Sequence, residues 1–518
     1  MKDDRISELP QPILHDILDC LSQQEAVRTC LLSKSWRYLG STRPIFDMRE
    51  IEFKGSKQEF INVLERYLQL YLDHKICPER FVVCMSTLDA ESISFLDKWT
   101  PILVRDLCVK TFSLFLDWHA KNTRFDPPSI IFESESLQYL TLQYSNLNRV
   151  DIPLSSSIHL KKLCLFDVII TEEILEKIIC SCPLIALELK ECVGPRAIRI
   201  DKRARHLKRF ECSVSYYVNG SPSLESDVPS LEEINVGRCS NWYHDKKTYF
   251  PHLKSLIISS VRLSTESFGF FSHNFPCLET LSLKFCYGFE EFELSSCSIK
   301  KFELSSHDVS LKRVVIDVPS IVMFKYGGRA PESFSFTTTS EKWKSDITLR
   351  HDLLFDETSP RLGKVGQLLK AVSRSEISLD IRELMISSRL VSSLMDILFC
   401  ICRPRIIQRS LVVGPESKCK IRKGRNKTTK LMCKILGMEK GEFESGRITR
   451  GHHWRQDLEK VIFETRQVEN VIVATSDENR KKWRPVLERS WSEFWEALLP
   501  EDFKWVQHFM RFRLSWRE

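Results

Sequence analysis

The sequence predicts an α/β chain in three successive parts: three short helices, a long array of stacked parallel strands, and a closing α+β segment. Three observations predict it. Leu9, Ile13, Leu14, Ile17, Leu18 and Leu21 recur at steps of three and four, the stripe of an amphipathic helix. From about residue 105 to residue 330 an apolar triplet spaced i, i+3, i+5 returns at a near-constant interval. Beyond it the pattern fades into mixed helical and strand signals that end in an aromatic-rich tail, RSWSEFWEALLPEDFKWVQHFMRFRLSWRE.

The first helix opens at Leu9-Pro10, because proline is tolerated in a first turn whose N–H groups lack intrahelical partners. After Leu21 the run SQQE reads as a turn, and AVRTCLLSKSWRYL carries two shorter helices with Ala26, Val27, Leu31, Leu32 and Trp36 as apolar members. A unit this small buries too little of its surface to stand alone, and no metal or disulfide pattern staples it. Part of its apolar stripe is therefore expected to dock on another protein. The pattern DRISELPxxILxxILxxL, then xxxAVRTxxLSKxWRYL, over residues 4 to 39, resembles the F-box of plant F-box and leucine-rich-repeat proteins. That resemblance implies docking on the Skp-type adaptor of a cullin-based SCF ubiquitin ligase. Carried over position by position, it puts Leu9, Pro10, Ile13, Leu14, Ile17, Leu18, Ala26, Val27, Leu32, Ser33, Lys34 and Trp36 in or beside the contact.

Residues 49 to 104 read as a joint. Phe60, Val63, Leu64, Tyr67, Leu68 and Tyr71 fall at helical spacing, and FVVCM from Phe81 reads as a strand. The repeat follows. Its triplets start at Val109, Leu137, Leu160, Leu184, Leu207, Leu231, Leu253 and Leu278, and from Leu137 onward the starts lie 23, 24, 23, 24, 22 and 25 residues apart. That period belongs to leucine-rich repeats, whose strands bury one face only by stacking on their neighbours as a parallel sheet that curves into a solenoid. Cys192, Cys239 and Cys286 each stand eight residues after a triplet start, where the repeat takes Asn or Cys, so they read as packed turn residues. A zinc site of Cys180, Cys182 and Cys192 with His206 lacks the paired C-x-x-C spacing. Triplets at Ile299, Leu311 and Ile321 stand only 12 and 10 residues apart, which reads as shortened repeats and a tightening coil.

Alternation along each strand puts a second set of side chains on the solvent face: Tyr139, Thr141, Gln143, Lys162, Phe166, Glu188, Lys190, Arg209, Glu211, Glu233, Asn235, Thr280, Ser282, Lys284, Lys301, Glu303 and Arg313. Both charge signs mix with a few aromatics. Such a row suits a protein target better than a phosphate backbone, and Tyr139, Gln143, Lys162, Phe166, Glu188, Arg209, Glu233 and Lys284 are the candidate target-facing residues.

Residues 331 to 518 read as degenerate repeats and a cap over the last apolar face of the solenoid. APESFSFTTTSEKWKSDITLR is a Ser/Thr-rich connector or irregular repeats; KVGQLLKAV, LVSSLMDILFCIC and LMCKILGM suggest helices, and ELMIS and RSLVVG short strands. CRPRIIQRSLVV and HHWRQDLEKVIFE loosely resemble segments that follow the repeats in plant relatives. KCKIRKGRNKTTK reads as a solvated loop, and His452 and His453 have no third ligand spaced nearby. In the tail, Trp491, Phe494, Trp495, Leu498 and Leu499 share a helical face, while Phe512, Leu514 and Trp516 alternate as on a strand.

The 518-residue chain carries 76 Lys and Arg against 69 Asp and Glu, too small an excess to indicate a nucleic-acid or membrane surface. No leader is visible at MKDDRISELP, so the 18 cysteines are expected reduced, in the cytoplasm or nucleus. No nucleophile elbow, phosphate loop, dinucleotide fingerprint or zinc-protease helix occurs, and no cofactor is implied. The expectation is a non-catalytic subunit: 1–48 F-box, 49–104 joint, 105–330 leucine-rich repeats that hold a protein target, 331–518 cap. A leucine-rich-repeat scaffold that no longer recruits a ligase is the alternative.

Overall fold

The structure, a computed structural model, describes residues 9–21, 25–26, 29, 36, 43–116, 124–152, 159–195, 197–200, 202–213, 223–226, 228, 230–238, 249–263, 268, 271–306, 311–350, 360–383, 406–413, 460–468, 483–485 and 508–515. Two compact units, Met1–Leu253 and Lys254–Glu518, make up the chain.

In the first unit the order is α1 (Gln11–Asp19), β1 (Ile45–Arg49), α2 (Lys57–Asp73), β2 (Arg80–Met85), α3 (Ala90–Arg105), β3 (Thr111–Leu116), β4 (Tyr139–Gln143), β5 (Lys162–Phe166), α4 (Glu172–Ser181), β6 (Ala186–Lys190), β7 (Ala197–Ile200), β8 (Arg209–Ser213), β9 (Ser223–Ser226) and β10 (Glu233–Gly237). The main sheet runs β1-β2-β3-β4-β5-β6-β8-β10, every neighbour parallel. Parallel neighbours need a crossover of about a dozen residues or more, and the repeat interval supplies it. Triplet members stack in register: Phe112, Leu140, Leu163, Leu187, Phe210 and Ile234 form one row, Leu114, Leu142, Leu165, Leu189, Cys212 and Val236 the next. Neither row has a member more than 2% exposed. β1 and β2 extend the same sheet upstream, so within residues 49–104 β2 joins the array, with α2 leading into it and α3 out of it. Its helices start where the sequence caps them. Ser56 and Glu59 close a capping box on α2, and Asp89 caps α3.

In the second unit come β11 (Ser255–Ser259), α5 (Phe271–Asn274), β12 (Thr280–Lys284), β13 (Glu291–Ser295), β14 (Lys301–Ser305), β15 (Arg313–Asp317), β16 (Met323–Gly328), β17 (Ser333–Thr337), β18 (Lys344–Arg350), α6 (Pro360–Ala371), β19 (Glu376–Glu383), β20 (Ile406–Val413), β21 (Lys460–Val468), β22 (Trp483–Pro485) and β23 (His508–Ser515). Here β11-β12-β14-β16-β18-β19 form a parallel sheet, and β13-β15-β17 form a second one. The close triplets are therefore not shortened repeats. Those at Ile299 and Ile321 lead into β14 and β16, which pair directly, whereas the one at Leu311 belongs to β15 in the other sheet. The return segment has become a strand, and the repeat keeps its length. Aromatics fill the space between the sheets: Phe302 stacks on Phe292 at 5.5 Å and Phe324 at 5.8 Å, Phe324 meets Phe336 at 4.9 Å, and Phe336 stacks on Trp343 at 4.8 Å. The stretch APESFSFTTTSEKWKSDITLR carries β17 and β18, so the register continues through it.

At the far end β23 lies antiparallel between β19 and β20, and β21 and β22 extend from β20. The expected strands at RSLVVG and in the tail lie in β20 and β23, and the KVGQLLKAV helix is α6. The helices expected at LVSSLMDILFCIC, LMCKILGM and Trp491–Leu499, the loop KCKIRKGRNKTTK, and His452 and His453 lie outside the described residues.

One backbone device recurs. Tyr144, Asp167, Glu191, Arg238, Ser260 and Phe285, each directly after a main-sheet strand, adopt φ of 50, 49, 57, 56, 54 and 55°. There the chain leaves the sheet while its N–H still reaches the end of the next strand, as from Asp167 to the Lys190 carbonyl at 2.7 Å and from Ser260 to the Lys284 carbonyl at 2.7 Å. The left-handed backbone costs an L residue roughly 1 kcal/mol, and the retained ladder bond offsets it.

Candidate functional site

Two surfaces gather the side chains that composition and motif single out. The first is α1. Leu14 and Leu18 close a small core with Ala26 and Trp36, against which Ile17 and Leu21 pack. Helical backbone recurs at Glu25, Ala26, Thr29 and Trp36, in line with the expected shorter helices. Leu9 and Ile13 are left 36% and 45% exposed, beside an exposed Pro10. The helix thus carries more apolar surface than its own core covers.

The second is the polar face of the main sheet in the first unit. Lys162 Nζ lies 2.7 Å from Glu188, and Lys190 lies 3.5 Å from Glu188 and 3.3 Å from Glu211. Register sets Glu188 directly opposite Glu211, and Lys190 compensates that like-charge pair. Burial alone would raise the Glu188 carboxyl, but the hydrogen bond from Lys162 and the charges of Lys162 and Lys190 hold it below the usual carboxylate range. Asn235 donates to Glu211 at 3.1 Å, and Arg209 pairs with Glu233 at 3.2 Å. The Lys190 ammonium also stands 5.2 Å from the Phe166 ring. Gln143 is tied back, its Oε1 accepting the Leu116 N–H at 3.2 Å. Tyr139 is 43% exposed, beside half-buried Thr141 and Phe166. Alternation carried one strand earlier adds half-buried Thr111 and Phe115, which the row read from sequence omits.

Lys284 belongs to the second unit, where it lies 3.5 Å from Glu303, itself accepting from the Ser282 hydroxyl at 2.9 Å. Arg313 is corrected: it sits on β15 of the second sheet, because its triplet is an outer-strand one, and so it leaves the row. Ser282 is 4% exposed, too buried to present a contact.

The turn cysteines behave as the repeat register predicts. Cys192 Sγ donates to the carbonyls of Leu165 and Lys190 at 3.5 and 3.7 Å, and Cys286 to those of Ile258 and Lys284 at the same distances. Burial pushes their thiols up to about 12 and about 11. Cys239 lies outside the described residues. Among the described residues no group of three or more His, Cys, Asp or Glu side chains could hold a metal ion, and no helix is long and apolar enough to cross a membrane.

Compared with known families, residues 6–47 match the F-box domain, and residues 79–241 match the leucine-rich-repeat domain described as At1g61320/AtMIF1, LRR domain. The chain thus carries an F-box match followed by a leucine-rich-repeat match. Its curated relatives include three from Arabidopsis thaliana. The putative F-box/FBD/LRR-repeat protein At2g05300 is 30% identical over 237 residues, 45% of this chain and 51% of the relative. The F-box/FBD/LRR-repeat protein At1g13780 is 26% identical over 45% of this chain and 53% of its own length, and the FBD-associated F-box protein At5g27750 is 28% identical over 45% and 54%. The chain thus spans about half the length of the curated relatives it matches. Neither matched family is one of enzymes, and F-box domains generally bind Skp-type adaptors. The repeat match starts at residue 79, just ahead of β2, in keeping with a sheet that begins before residue 105.

Within the F-box, the residues nominated from the motif divide by physical role. Leu14, Leu18, Ala26 and Trp36 hold the module together, Ile17 is half-buried, and Leu9, Pro10 and Ile13 face outward. Val27, Leu32, Ser33 and Lys34 lie outside the described residues.

Proposed function

We propose that this F-box/leucine-rich-repeat protein is the substrate-recognition subunit of an SCF-type ubiquitin ligase. The F-box, residues 1–48, docks on a Skp-type adaptor and through it on a cullin; the strand face of the first unit, with Tyr139, Gln143, Lys162, Phe166, Glu188, Arg209 and Glu233 as its candidate contacts, holds a protein target, and Lys284 is a separate candidate contact on the strand face of the second unit. The chain performs no chemistry itself. Holding a target lysine near a charged conjugating enzyme raises its effective concentration, and the bound machinery supplies the transfer. Such a subunit acts in the cytoplasm or nucleus. The observation that carries the reading is the outward apolar edge at the start of α1, Leu9 and Ile13, on a module whose described core, Leu14, Leu18, Ala26 and Trp36, is already enclosed. Capture of the adaptor and cullin from plant extract by the intact chain, lost when Leu9 and Pro10 are replaced by Ala, is the expected result. A chain that captures neither is a repeat scaffold, and the receptor reading falls.

A further inference from the structure

Arg43 is 3% exposed, yet it lies in no helix or strand. Its Nη2 donates to the carbonyl oxygen of Leu21 at 3.1 Å, in the segment leaving α1. Its own carbonyl oxygen accepts the Tyr71 hydroxyl at 2.6 Å. Tyr71, on α2 and 1% exposed, meets Phe46 of β1 edge-on at 6.1 Å. Phe46 stacks on Phe81 of β2 at 5.2 Å, and Phe81 on Phe112 of β3 at 5.6 Å. A continuous path of hydrogen bonds and ring contacts therefore runs from the docking helix into the first three strands.

Burying a guanidinium is costly unless it is hydrogen-bonded, and a backbone carbonyl outside regular secondary structure also needs a donor. Arg43 answers both requirements at once, and it does so across the boundary between two modules. We propose that Arg43 is a positioning residue that fixes the orientation of the F-box relative to the strand face. The proposal rests on the receptor reading for its use: a target held on the sheet then stays at one place relative to the ligase, whereas a loose joint spreads its lysines over many positions and lowers their effective concentration.

The test uses the full chain with spin labels on noncanonical residues replacing exposed Asp16 of α1 and exposed Glu135 ahead of β4, and reads the distance distribution by pulsed dipolar spectroscopy. Amide exchange of α1 reports whether the module stays folded, and adaptor capture by the unlabelled chain is measured in parallel. The parent is expected to give one narrow distribution; Arg43→Ala and Tyr71→Phe are expected to broaden it with α1 still protected. An unchanged width overturns the proposal. So does broadening with loss of α1 protection, since Arg43 would then serve only the folding of the F-box. Should Arg43→Ala not fold, Tyr71→Phe, which removes one oxygen, decides alone. Failure of the parent to capture adaptor sinks the receptor reading, while the widths still decide the latch.

Discussion

Replacing Leu9 and Ile13 together by Ala is expected to weaken the proposed adaptor binding about thirty-fold, and the magnitude follows from their exposure. Full burial of a Leu or Ile side chain is worth about 1.5–3 kcal/mol. Leu9 and Ile13 leave 36% and 45% uncovered. A partner that seals the remainder gains about 1 kcal/mol from each, about 2 kcal/mol for the pair, which is roughly thirty-fold in Kd. Leu18→Ala is the contrast: Leu18 is fully buried, so its truncation costs about 2–5 kcal/mol of folding and removes binding by unfolding the F-box. Calorimetric titration of the purified full chain with a Skp-type adaptor measures the first effect, and amide exchange of α1 separates it from the second. A double variant that keeps α1 protected and binds within about two-fold of the parent, well short of the change that exposed area demands, refutes this account of the docking edge.

Three further outcomes follow from geometry. Burial would raise the Asp89 carboxyl, but hydrogen bonds from Lys57 and Ser92 and the Lys57 charge hold it at about 2. A depressed carboxylate stabilises the fold above its unfolded value near 4 and loses that contribution as pH falls through its folded value. Asp89→Ala is therefore expected to cost about 1 kcal/mol at pH 7, a half-exposed carboxylate being partly screened, and the gap in urea midpoint should shrink markedly by pH 3. An equal gap at both pH values refutes it. Ser260→Gly relieves a left-handed φ of 54° and raises stability by about 0.5–1 kcal/mol, read as a higher Tm, while Ser260→Val lowers it. Maleimide mapping at pH 8 should modify exposed Cys20, Cys77, Cys108 and Cys277 in the native chain and reach Cys192 and Cys286 only on unfolding; equal rates for Cys192 and Cys20 contradict the packing described.

Much of the fold was legible because its signals are local. The stripe from Leu9 to Leu21 and the alternation in each triplet report the periodicity of one backbone segment, and the eight-residue offset of Cys192 and Cys286 reports a turn within one repeat. The misreadings share a cause. Leu311-Val314-Ile316 has the same pattern as Ile299-Phe302-Leu304, because an outer strand buries one face as an inner strand does, and only pairing with β13 and β17 tells them apart. That error carried Arg313 into the polar row. Phe46 and Phe81 belong to the stacked array, yet β1 (IFDMR) and β2 (RFVVCM) carry no leucine triplet to mark them as repeat strands. The left-handed corners at Tyr144, Asp167, Glu191 and Phe285 bear neither Gly nor Asn, so no residue type announced them.

By itself the sequence determined that the chain opens with an amphipathic helical module and continues as stacked parallel strands, since side-chain periodicity settles which face of a segment must be buried. Tertiary structure alone decided what each face is buried against. It divided the apolar stripe of α1 into core and outward edge, paired Lys162, Glu188, Lys190 and Glu211 with one another, and brought Arg43 between Leu21 and Tyr71. Most of those partners lie on different elements, and contacts of that kind depend on how the elements stack rather than on any segment's own pattern.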